Sequence, residues 1–157
     1  MLRWIGAAML LFCISLAGVS RAQAERRRLA RARGFLALLQ YIKRQIECFS
    51  MPIGDILRTA DGGLLAACGA AEPFPDAFPA LLAGAREELP AEIYGELCLF
   101  AESLGSTYRA EQLRLCEQHL ARLSALCEAL SADAPRRERL WLCLPPALAG
   151  IVILVLL

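Results

Sequence analysis

The sequence predicts an all-α fold: a small cytoplasmic bundle of about five or six helices, built around a long antiparallel helix pair and flanked by a transmembrane helix at each end. Three observations predict it. Apolar residues recur at helical spacing, no segment alternates as a strand does, and an uncharged apolar run lies at each terminus. Hydrophobic residues make up 57% of the chain, above the roughly 45–50% of ordinary soluble domains, and the excess sits at the ends.

Between Arg3 and Arg21 lie seventeen uncharged residues, and eighteen more run from Leu140 to Leu157. As helices they would extend about 26 and 27 Å at roughly 1.5 Å per residue, close to the thickness of a bilayer's hydrocarbon core. Pro145-Pro146 should kink the second run. Charge is segregated as sharply as hydropathy. Residues 1–42 carry seven basic and one acidic side chain, residues 43–134 seven and fourteen, and residues 135–157 three and one. The net charge of +1 therefore conceals a basic start, an acidic middle and a basic approach to the second run.

Arg21, Arg26, Arg27, Arg28, Arg31 and Arg33 follow the first run, and Arg136, Arg137 and Arg139 precede the second. The positive-inside tendency puts both flanks, and everything between them, on the cytoplasmic side. The expected organisation is a transmembrane anchor over residues 1–21, a cytoplasmic helical domain with a basic juxtamembrane segment over residues 22–139, and a transmembrane helix over residues 140–157. The arginine cluster then contacts membrane lipid, with no nucleic-acid partner. The competing reading is a secretory signal cleaved after Ala22-Gln23-Ala24, leaving an exported helical protein with a C-terminal membrane anchor. Against it, a dense arginine cluster just beyond the apolar run resists export.

Of the seven cysteines, Cys13 and Cys143 fall in the apolar runs, and Cys48, Cys68, Cys98, Cys116 and Cys127 lie between. An odd number without a C-x-x-C pair suits a reducing compartment, with cysteine used as a small apolar residue.

Phe35, Leu39, Ile42, Ile46 and Phe49 follow the alternating three-and-four spacing of a helix packed on another helix, with Gly34 as a candidate bend before them. Ser50 and Pro52 predict a new helix over residues 51–60, ended by Asp61-Gly62-Gly63. Residues 64–90 hold six glycines and prolines and predict one or two short helices, the clearest over 76–88. Ile93, Leu97, Phe100 and Leu104 predict a helix stopping at Gly105. Leu113, Cys116, Leu120, Leu123, Cys127 and Leu130 predict a long last helix over residues 107–131, which Asp133-Ala134-Pro135 separates from the apolar terminus. Because the first and last of these helices start from one membrane face, their seams meet only if they run antiparallel.

The candidate chemistry is thin. His119 follows Cys116 by three residues, a spacing that could place two metal ligands on one helix face, yet both fall in or beside the seam, and helix packing is the simpler account. Cys116 as a nucleophile would need a thiolate in that apolar seam. Glu87, Glu88, Glu92, Glu96 and Glu102 read as a solvated helix face. No catalytic, cofactor-binding or metal-binding residue is expected, and neither a cofactor nor a small-molecule substrate.

Residues 103–112, Ser-Leu-Gly-Ser-Thr-Tyr-Arg-Ala-Glu-Gln, resemble the Leu-Gly-x-Ser-Asp-x-x-x-Gln segment of the stage III sporulation protein AB family. Leu104, Gly105 and Gln112 match, Thr107 stands where the family usually has Ser, and Tyr108 replaces the usual Asp. The segment Met51-Pro52-Ile53-Gly54-Asp55-Ile56-Leu57 and the apolar C-terminus agree in order, with Pro145-Pro146 replacing a usual Gly-Val. The resemblance implies a non-catalytic platform subunit of the channel complex between mother cell and forespore. It implies an integral protein of the outer forespore membrane, its domain on the mother-cell side and similar in fold to the cytoplasmic domain of type II secretion platform proteins. The partners implied are other channel subunits, a cytoplasmic ATPase among them, and further copies of the chain. The acidic middle makes Glu87, Glu88 and Glu92 the candidate contact surface.

Overall fold

In the computed structural model of the chain the described residues are 2–49, 53–105 and 108–156, with the side chains of 2–8, 10–12, 14–15, 53–54, 137–139 and 141–156 left aside. Among them are six helices and no strand: α1 (Leu2–Phe49), α2 (Ile53–Arg58), α3 (Gly62–Ala67), α4 (Phe78–Gly84), α5 (Ala91–Ser103) and α6 (Arg109–Leu156). The chain divides into two compact units, one of Met1–Arg27 with Leu130–Leu157 and the other of Arg28–Ala129.

In the first unit the start of α1 and the end of α6 cluster together. Here Gly18 and Ala22, one turn apart, are buried, while Met9, Leu16, Val19 and Leu140 are exposed. Among the described residues no helix is long and apolar enough to cross a membrane. The two expected spans, residues 4–20 and 140–157, have most of their side chains outside the described set.

In the second unit α1 and α6 form the frame. Arg109 at the start of α6 reaches the carbonyls of Ile46 and Glu47 at the end of α1, Lys43 pairs with Glu117 at 2.8 Å, and the Arg33 charge lies beside Cys127. Positions fall along one helix as they rise along the other, so the pair is antiparallel. Phe35, Leu38, Leu39, Ile42 and Ile46 of α1 are buried with Cys116, Leu123 and Cys127 of α6, and Ile93, Leu97 and Phe100 of α5 join them. A chain of edge-to-face rings ties the layers. Phe35 meets Phe78 of α4, Phe78 meets Phe100 at 5.4 Å, and Phe100 meets the His119 ring at 5.6 Å.

Several expectations are corrected here. Gly34 does not break α1, which runs through it. Instead it is a point of close approach: a Cβ there would lie 2.6 Å from the Ala67 carbonyl oxygen at the end of α3. Nor does Asp133-Ala134-Pro135 interrupt α6, which continues to Leu156. The clustering of residues 130–157 with residues 1–27 outweighs the local penalty of about 3 kcal/mol for a proline inside a helix. Phe49 is 68% exposed rather than in the seam. The seam stops at Ile46 because α6 begins at Arg109, whose guanidinium rather than an apolar side chain covers the last turn of α1. Asp61-Gly62-Gly63 opens α3 as well as closing α2, with the Asp61 carbonyl accepting from the Leu64 and Leu65 amides.

Candidate functional site

The motif loop is built from both of its ends. Ser103 closes α5 by donating from Oγ to the Phe100 carbonyl at 2.9 Å, and Leu104, half-buried, leaves the helix in an extended conformation. Gly105 then takes φ +80°, a left-handed conformation that favours glycine. Its amide donates to Gln112 Oε1 at 3.1 Å across the loop, and Gln112 is only 3% exposed. Gly105 and Gln112 therefore fix each other, which accounts physically for finding these two residue types seven positions apart. Thr107 lies outside the described residues. Tyr108 is 92% exposed and its carbonyl accepts from the Gln112 amide at 2.8 Å.

Arg109 was not singled out from sequence. The last turn of α1 contains no basic residue, and its carbonyls have no partner further along their own helix. Arg109 supplies the donors from the opposite helix, its Nε to the Ile46 carbonyl at 3.1 Å and its Nη2 to that of Glu47. The positive guanidinium also meets the negative end of the α1 dipole. The readable signal was the absence of a cationic or glycine cap at Phe49.

The acidic residues divide into three environments. Glu87 and Glu92 are exposed. Glu88 pairs with Nε of Arg31 on α1, whose guanidinium also fills the space where a Cβ on Gly69 would stand. Glu96, expected on the solvated face, has a side chain only 12% exposed, and its Oε1 meets His119 Nδ1 at 2.7 Å with Arg122 Nη1 at 3.8 Å. His119 is thus a packed residue with a carboxylate partner and a ring contact. Among the described residues no group of three or more His, Cys, Asp or Glu is placed to hold a metal.

The buried thiols are not activated. Burial pushes Cys68 up to about 12 against the pull of Arg31, and burial likewise raises Cys116 and Cys127, so the protonated, unreactive form prevails at neutral pH. The hydrogen bond to Glu117 holds the Lys43 ammonium above its ordinary value.

Compared with known families, the chain is similar from residue 3 to residue 157 to the model of stage III sporulation protein AB. The chain belongs to that family. Its role lies in stage III sporulation. No curated protein and no solved structure matches the chain.

Proposed function

We propose that this chain is a non-catalytic platform subunit of the channel complex between mother cell and forespore, anchored by residues 4–20 and 140–157 in the outer forespore membrane. Its helical body faces the mother-cell cytoplasm. Supporting the membrane mounting, the large apolar side chains of Met9, Leu16, Val19 and Leu140 are exposed in the first unit, while the small Gly18 and Ala22 are buried. In water this arrangement would leave the apolar effect unused. In lipid the tails match the large side chains, and close approach of small residues drives helix pairing.

The body docks a partner, the complex's cytoplasmic ATPase, through an acidic surface. Supporting this, residues 43–134 carry fourteen acidic against seven basic side chains, and α5 has three glutamates and no basic residue. Glu87, Glu88 and Glu92 are all exposed on that surface, and Glu88 also stabilises the fold through Arg31. Coprecipitation of the ATPase with a Glu87→Lys/Glu92→Lys chain tests this. Loss of the ATPase with helix content unchanged supports the surface, and undiminished recovery rejects it.

A further inference from the structure

We propose that copies of this chain associate side by side, with the outer face of α1 in one copy seated on the outer face of α5 in the next. Two exposed helix faces carry the inference. On α5, Glu92, Gly95, Leu99 and Glu102 are exposed at three-four-three spacing, the signature of a helix-packing seam turned outward. Leu99 is 52% exposed at its centre, and a Cβ on Gly95 would meet nothing within 4 Å, so a neighbouring helix can approach closely. On α1, Arg33, Ala37, Gln40 and Arg44 are exposed at four-three-four spacing, with small or polar side chains between two cations.

The faces match in charge, length and direction. Arg33 and Arg44 stand eleven residues apart and Glu92 and Glu102 ten apart, about 16 and 15 Å at 1.5 Å per residue. Within one chain, Glu88 just before α5 pairs with Arg31, while α5 ends at the loop leading to Arg109, which grips Ile46 and Glu47. So α5 runs in the same direction as α1 and beside the same stretch of it. Two copies standing in one orientation therefore bring Arg33 level with Glu92 and Arg44 level with Glu102, with Gly95 over Ala37 and Leu99 over Gln40. The two faces belong to different helices, so the contact is heterologous and repeats into a ring or a row. The charge pairs set register and encounter rate, and the apolar centre supplies packing.

The test uses the full chain in detergent micelles, its mass followed by sedimentation over a concentration series at about 0.1 M salt, where surface charges still act over roughly 10 Å. Wild-type chain should self-associate. Arg33→Glu/Arg44→Glu and Glu92→Arg/Glu102→Arg should each associate at least about tenfold more weakly, and an equal mixture of the two should recover association, because each supplies the face the other retains. Gly95→Phe blocks the close approach and should weaken association without loss of helix content, since its site is open within the chain. A wild-type mass of one chain at every concentration, or association that ignores all three variants, overturns the proposal. The ATPase is absent from this experiment; Glu92 is common to both surfaces, but Arg33 and Arg44 lie outside the one assigned to the ATPase and Glu87 outside the α5 face, so the arginine variant and a Glu87→Lys chain let either reading fail while the other stands.

Discussion

Replacing Gly34 with alanine tests how the bundle is packed. In an ordinary helix interior the change would stabilise by about 0.5–1 kcal/mol, because glycine loses more backbone freedom on folding. At Gly34 the new methyl would lie 2.6 Å from the Ala67 oxygen, 2.8 Å from the Ala67 carbonyl carbon and 3.1 Å from the Cys68 nitrogen. All three are backbone atoms at the end of α3, which no rotamer change can move aside. Forcing an extra methyl into such a contact costs about 1–3 kcal/mol, so after the helix gain of about 0.5–1 kcal/mol the net loss is up to about 2.5 kcal/mol and centres on roughly 1 kcal/mol. In a unit of this size that lowers the melting temperature by roughly 4–8 °C for each kcal/mol. Gly95→Ala is the internal reference, because its Cβ meets nothing and only the helix term of about 0.5–1 kcal/mol remains. Thermal melts followed by far-UV circular dichroism should move in opposite directions. If Gly34→Ala raises the melting temperature as Gly95→Ala does, the close approach of α1 and α3 is wrong.

Arg109→Ala should destabilise by about 1.5–3 kcal/mol, the worth of hydrogen bonds from a charged donor, and hydrogen exchange should report earlier opening of the last turn of α1. His119→Ala leaves the buried Glu96 carboxylate with only the more distant Arg122 and should cost about 2 kcal/mol; Glu96→Leu/His119→Leu should recover most of that loss in chemical denaturation. In thiol labelling at pH 8, exposed Cys48 should react at once and Cys68 scarcely at all, its thiolate being about one part in ten thousand. The sign for stability follows from the raised value: the contribution of Cys68 is fully present below the ordinary 9.0 and falls away as pH climbs from there toward about 12. An alkaline melt series that is flat from pH 8 to 11 in wild type but sloping in Cys68→Ala would contradict this.

What the sequence made legible was the apolar periodicity. Phe35, Leu39, Ile42 and Ile46 on α1, Ile93, Leu97 and Phe100 on α5, and Cys116, Leu123 and Cys127 on α6 are read from spacing alone and are buried. The helix around Gly105 ended where a left-handed residue was expected. Hidden from that reading were contacts made by polar groups. Gln112 and His119 face inward on α6 while Leu113 and Leu120 are only half-buried, because each polar group has an acceptor or donor that spacing cannot reveal. For His119 that partner, Glu96, lies 23 residues away. Helix continuity escaped for a related reason: Gly34 and Pro135 are local breakers, and the packing that overrides them is distant in sequence. Of the site, Leu104, Gly105 and Gln112 were readable from the motif, whereas Arg109 and the internal bridge of Glu88 required the three-dimensional arrangement.

In the proposed topology the helical body is held on the cytoplasmic face by two ends that enter the membrane from that side. A membrane-impermeant maleimide tests this directly at exposed Cys48. With the chain expressed in the plasma membrane of growing cells, the proposed topology predicts no labelling of Cys48 in intact cells and full labelling in inverted membrane vesicles. Labelling in intact cells would contradict it.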